Sequence, residues 1–117
     1  SLFFNGSVVA YNNKIKQKFL NIKKNIIKEK GAVSSEVSKL MAINIANKFS
    51  SDIGISCTGI SGPKGGSLKK PIGLVYISIY FLEKIVTKKF IFVADRNLHR
   101  VKTKQASLYM LWKLLNN

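Results

Sequence analysis

Ser56-Cys57-Thr58-Gly59-Ile60-Ser61-Gly62-Pro63-Lys64-Gly65-Gly66-Ser67-Leu68-Lys69-Lys70-Pro71-Ile72-Gly73 lies between two apolar segments. Residues 53–57 before it and 72–81 after it are rich in β-branched and aromatic side chains, so both read as strands. The loop then sits where a sheet ends, a common place for a phosphate or nucleotide. Its glycines permit left-handed or very close backbone, and Thr58, Ser61, Ser67, Lys69 and Lys70 add hydroxyls and cations, a combination able to hold an anion. The spacing is neither a Walker A loop nor a dinucleotide fingerprint. Standing alone, it would read as a long hairpin connection whose glycines only make turns.

Outward from this loop, residues 3–11 are rich in Phe and Val and read as a further strand ending at Tyr11. Asn12 or Asn13 caps a helix with Ile15, Phe19 and Leu20 on its inner face, placing Lys16 in the first turns. Gly31 ends a basic helix, and Ser34 or Ser35 caps a longer one carrying Val37, Leu40, Met41, Ile45 and Phe49 at helical spacing. Glu83 and Lys84 predict a hairpin turn into a strand over 85–93. Asp95 caps a last helix whose apolar side is Leu98, Val101, Leu108, Leu111, Trp112 and Leu115, with Trp112 as a core anchor. Helices between strands plus one hairpin predict a layered α/β domain, a mixed β-sheet flanked by helices.

A chain of 117 residues suits one domain, here 1–117. No apolar run reaches membrane-span length and no signal-peptide pattern is present, so the expectation is a soluble, cytoplasmic domain without membrane contact. Cys57 is the only cysteine, which excludes an internal disulfide and a cysteine-based zinc cluster; it reads as a small buried residue at a strand end. The net charge of +15 would suit a nucleic-acid partner. Arg occurs only at positions 96 and 100, however, while Lys, Asn and Ile abound, a bias that A+T-rich codons produce without any selection for binding. The five carboxylates, Glu29, Glu36, Asp52, Glu83 and Asp95, are scattered, so paired-carboxylate and carboxylate-metal chemistry have no support. His99, the only histidine, reads as a surface or partly packed residue rather than a base.

Several motifs recur in a telling order: Gly6-Ser7-Val8-Val9-Ala10-Tyr11 with Lys16, Gly31-Ala32-Val33-Ser34 leading to Met41-Ala42, Thr58-Gly59-Ile60-Ser61-Gly62-Pro63, Lys70-Pro71-Ile72-Gly73, and Asp95-Arg96. In this order and spacing, over essentially its whole length, the chain resembles the C-terminal domain of the CinA family of competence/damage-inducible proteins, whose characterised activity is nicotinamide mononucleotide deamidation. The family pattern has a further strand and helix ahead of the matched part, so the resemblance implies a domain lacking that N-terminal strand and helix.

A serine hydroxyl is a poor nucleophile at neutral pH without a base, and a lysine can act as one if burial or nearby cations lower its pKa. The resemblance implies which residues take these roles. Ser1 is the nucleophile on the carboxamide carbon, Lys16 the base that takes its proton and returns one to ammonia, and Tyr11 a hydrogen-bonding partner of the pair or of the substrate. It further implies conversion of nicotinamide mononucleotide to nicotinate mononucleotide without metal or cofactor, and a homodimer. The 5′-phosphate needs N–H donors or cations, for which Thr58, Gly59, Gly62, Gly65, Gly66, Lys70, Arg96 and Arg100 are placed by motif. The rival expectations are a catalytically impaired mononucleotide-binding module and a basic nucleic-acid-associated protein. Lys14 stands where the resemblance implies Glu, which adds a cation near Lys16; two readings stay open, repulsion that lowers the Lys16 pKa and relaxed selection on this position.

Overall fold

The computed structural model describes residues 2–116. Helix α1 spans Asn13–Lys18, α2 Lys24–Lys30, α3 Ser35–Lys48 and α4 Arg96–Leu115; strands are β1 Ile53–Gly59, β2 Leu74–Phe81 and β3 Lys84–Ile91. The helix starts follow the capping chemistry. Asn12 Oδ1 accepts from Ile15 N–H, Ser34 Oγ from Val37 N–H and Asp95 Oδ1 from Leu98 N–H, each supplying an acceptor that the first turn lacks. Gly31 closes α2 with φ +86, a conformation that disfavours any residue with a β-carbon.

The sheet has the order β1-β2-β3, and both pairings are antiparallel. Among the described residues it is therefore not mixed. The first strand expected from the sequence is not among its members: residues 5–11 are not assigned to a β-strand, and Leu2, Phe3, Phe4, Val9 and Tyr11 are exposed. β2 and β3 are joined at Leu82 and Glu83, both at positive φ as a two-residue hairpin of the primed type requires, one position earlier than predicted.

β2 is central and buried on both faces. One side of the sheet carries Val75, Ile77 and Ile79, packed with Met110 of α4; the other is covered by α3. Leu20, Ile22, Ile27 and Val37 form a second cluster where α1 and α2 meet α3. The α3 contact is made by small residues: Ser38, Ala42 and Ala46 are buried. A β-carbon on Gly54 would run into the Ala42 carbonyl and stand 3.0 Å from Ala46 Cβ, so β1 and α3 approach this closely only with glycine at that position.

Beneath α3 the sheet carries hydroxyls. Ser56 pairs with Ser78 and Ser78 with Thr87 across the strands, and Ser38 drops onto them from the helix. Ser38 Oγ lies 2.7 Å from Ser78 Oγ and 3.1 Å from Ser56 Oγ, and Ser78 Oγ lies 2.7 Å from Thr87 Oγ1. Ser56 Oγ donates to the Ser38 carbonyl at 2.6 Å, so this polar row satisfies itself within the layer.

α4 is turned differently from its predicted orientation. The face on the sheet holds His99, Ser107 and Met110, while Leu98, Val101, Leu108, Trp112 and Leu115 are exposed; Trp112 stacks on Tyr109 at the surface instead of anchoring the core. No helix among the described residues is long and apolar enough to cross a membrane.

Candidate active site

A groove of about 1140 Å³ runs between residues 2–11 and the outer edge of β1, lined also by Met41 and Ile45 of α3 and by Phe49, the C-cap of that helix. Of the residues expected to act, Tyr11, Lys16, Thr58 and Gly59 line it. Ser1, the expected nucleophile, lies outside the described residues. Gly62, Gly65, Gly66, Lys70, Arg96 and Arg100 are not part of its lining.

Lys16 is the buried residue of α1, 6% exposed, reversing the expectation that Ile15 and Phe19 would carry the inner face. Its Nζ donates to the Ala10 carbonyl at 2.6 Å, so the amine is held at the end of the segment that runs into Tyr11. Burial lowers its pKa from the ordinary 10.5, with no carboxylate nearby to raise it again. A buried amine with a depressed pKa at the wall of a groove is equipped to take a proton. Tyr11 is 84% exposed at the mouth, free to reach a ligand that enters.

Thr58 and Gly59 end β1 where the groove meets the Gly-rich loop. Thr58 is buried and its Oγ1 donates to the Ala32 carbonyl at 2.8 Å, which commits its proton to α3's leading loop and leaves it as an acceptor. Lys70 is also engaged. Its Nζ donates to the Lys30 carbonyl at 2.6 Å, capping the C-terminus of α2 across the gap left by Gly31, a favourable place for a cation. Gly62 and Gly65 both have positive φ, as a loop presenting its backbone N–H groups requires. Arg96 Nη1 donates to the Gly62 carbonyl at 3.3 Å, and Arg100 is exposed one turn later on α4. Cys57 is exposed rather than buried and faces the groove, and desolvation by its surroundings raises its thiol pKa.

Sequence reasoning missed the residue that holds the loop. His99 is 3% exposed, not a surface side chain. Its Nε2 lies 3.0 Å from the Gly73 carbonyl and its Nδ1 3.1 Å from Ser61 Oγ. A carbonyl only accepts, so Nε2 carries the proton and Nδ1 accepts from the serine hydroxyl. One imidazole thereby ties the start of the loop to its end. No spacing rule links residues 61, 73 and 99; only the polarity of a histidine on the sheet-facing side of α4 hinted at a partner. His99→Ala is expected to cost about 1–3 kcal/mol, read by urea denaturation. It should also speed tryptic cleavage after the exposed Lys64 and Lys69 beyond what the lost global stability explains. Unchanged cleavage would show that the loop keeps its shape without the imidazole.

The fold and groove define a class: a layered α/β domain with a buried lysine at the wall of a ligand-sized groove, and no metal-binding group of His, Cys, Asp or Glu among the described residues. The family model of the CinA C-terminal domain matches residues 1–115, and the chain belongs to that family. A CinA-like protein of Dictyoglomus turgidum is 46% identical over 117 residues, the whole of this chain and 28% of the relative. A putative competence-damage inducible protein of Clostridium tetani is 46% identical over 108 residues, 92% of this chain and 26% of the relative. The chain thus spans little more than a quarter of these relatives. Among solved structures, the competence damage-inducible protein A of Klebsiella pneumoniae superposes with a TM-score of 0.90 at 26% identity, covering 94% of this chain and 68% of that one. A competence/damage inducible protein of Agrobacterium tumefaciens does so at 0.85 and 28% identity, covering 89% and 64%.

Proposed function

We propose that this CinA-family domain is an amidohydrolase that converts nicotinamide mononucleotide and water to nicotinate mononucleotide and ammonia. The observation that carries the reading is Lys16: buried, lowered in pKa and aimed at the groove beside Tyr11. In the proposed reaction Ser1 Oγ attacks the carboxamide carbon while Lys16 takes its proton. The tetrahedral intermediate collapses, its C–N bond breaks, and Lys16 returns the proton to the departing ammonia. Water then attacks the acyl-enzyme ester, again through Lys16, freeing the carboxylate and Ser1. Tyr11 donates to the substrate at the groove mouth.

The pyridine end belongs in the groove and the phosphate end toward the loop, with Thr58 and Gly59 as the common boundary. Gly62, Gly65 and Gly66 offer N–H groups to the phosphate, and Arg96, Arg100 and the remaining donors of Lys70 offer charge. Thr58, its proton already committed, accepts from a ribose hydroxyl instead.

Ammonia release from nicotinamide mononucleotide tests the activity, and Gly65→Ala tests the phosphate placement. Gly65 has φ +100, yet an added β-carbon would meet nothing closer than Ile60 Cγ2 at 3.6 Å, so the substitution disturbs backbone geometry without a clash. The wild type should prefer the mononucleotide to the riboside in KM by about tenfold or more, the worth of a charge-assisted hydrogen bond, and Gly65→Ala should lose most of that preference. Equal discrimination by both proteins would move the phosphate away from the loop.

A further inference from the structure

A hydroxyl, an imidazole and a carbonyl meet at the base of the Gly-rich loop. Ser61 Oγ donates to His99 Nδ1 at 3.1 Å, and His99 Nε2 donates to the Gly73 carbonyl at 3.0 Å. A hydroxyl on one imidazole nitrogen and a fixed acceptor on the other is the arrangement that activates a serine, because the acceptor holds the tautomer whose free nitrogen takes the proton. The ring is held in place: His99 is 3% exposed and lies edge-on to Phe92, and the Gly73 carbonyl also accepts from Phe92 N–H at 2.9 Å. Ser61, by contrast, keeps part of its surface in solvent. Arg96, one turn before His99 on α4, donates from Nη1 to the carbonyl of Gly62, the residue after Ser61, so a guanidinium stands beside the serine. Neither Ser61 nor His99 lines the groove that Lys16 lines.

We propose that Ser61 is a second nucleophile, with His99 as its base and the Gly73 carbonyl as the group that orients the ring, and that the pair transfers acyl groups from activated esters to water. Ser61 Oγ bonds to the ester carbon as its proton passes to His99 Nδ1. The tetrahedral oxyanion forms beside the charge of Arg96 and collapses, the C–O bond to the leaving group breaks, and Nδ1 gives its proton to the departing oxygen. Nδ1 next takes a proton from water, whose oxygen attacks the acyl-serine. The bond to Ser61 breaks, Nδ1 reprotonates Oγ, and the carboxylic acid leaves. The orienting group sets the substrate class. A carbonyl fixes the ring but carries no charge to stabilise the imidazolium, and Asp95, one turn earlier, is engaged in capping α4. Such a base serves esters with a good leaving group rather than amides, which separates this chemistry from that proposed for Lys16.

Diisopropyl fluorophosphate is the probe, because it forms an O–P bond to an activated serine and releases fluoride. Applied to the full-length protein, with the label mapped by mass spectrometry of the digest, it should mark Ser61 and block hydrolysis of p-nitrophenyl acetate. Ser61→Ala should abolish both the label and the hydrolysis. His99→Gln should slow labelling of Ser61 by about 10²-fold or more, with circular dichroism reporting the fold. Ser61→Ala leaves the bond between His99 and Gly73 in place and so keeps the test readable if His99→Gln loosens the loop. Four results overturn the proposal: no label, a label on Ser1 or another residue with Ser61 unmarked, equal labelling of Ser61 in the His99→Gln protein, and ester hydrolysis that survives Ser61→Ala. None of them depends on ammonia release, so they are read whether or not the groove deamidates nicotinamide mononucleotide.

Discussion

Lys16→Ala is expected to reduce ammonia release by about 10²- to 10⁴-fold, the range that a general acid–base group contributes, with a much smaller change in KM. Lys16→Arg should fail nearly as badly despite keeping the charge, because a guanidinium does not give up its proton in this range. Near-normal turnover in either variant would remove Lys16 from the mechanism and bring the exposed Lys14 forward.

The pH dependence has a definite sign. Since burial lowers the Lys16 pKa below 10.5, the free base appears earlier than in an ordinary lysine, and kcat/KM should rise with pH with its midpoint below 10.5. Stability moves the same way. Between the lowered pKa and 10.5 the unfolded chain binds more protons at this site than the folded one, so folding gains stability as pH rises through that window. Below the window the cost of the buried charge is constant. Lys16→Met should flatten this rise, which comparison of urea midpoints at pH 7 and pH 10 would detect.

Gly54→Val is expected to destabilise the domain by about 3 kcal/mol or more, since it forces overpacking where the backbone of α3 has no side chain to move aside. For a domain stable by about 5–15 kcal/mol, that is a large fraction of the whole. Gly54→Ala already places the β-carbon against the Ala42 carbonyl, so a cost of less than about 0.5 kcal/mol for it would show that α3 slides on the sheet. Ser78→Val asks a separate question of the same layer, because it leaves Ser38 and Thr87 hydroxyls without the partner that both contact. Urea denaturation should register about 1–3 kcal/mol for that loss.

Local chemistry was enough to place most of the elements. The caps at Asn12, Ser34 and Asp95, the stop at Gly31 and the hairpin between β2 and β3 act within a few residues, so they are legible in sequence order. The motif order that marks the CinA family was legible in the same way, and the proposed role of Lys16 rests on it. Tertiary packing decided the rest. Ser38, Ser56, Ser78 and Thr87 would each be expected on a wet face, but they are in or under the sheet because four hydroxyls from four elements satisfy one another there. His99 is buried because a serine and a carbonyl, 38 and 26 positions away, meet its two nitrogens. Residues 5–11 have a strand's composition but are not assigned to a β-strand, since pairing depends on a neighbouring edge and not on propensity. α4 carries both a packed face and the apolar seam of Leu98, Val101, Leu108, Trp112 and Leu115. Periodicity identified that seam, but only the docking of His99, Ser107 and Met110 on the sheet decided that it would face outward.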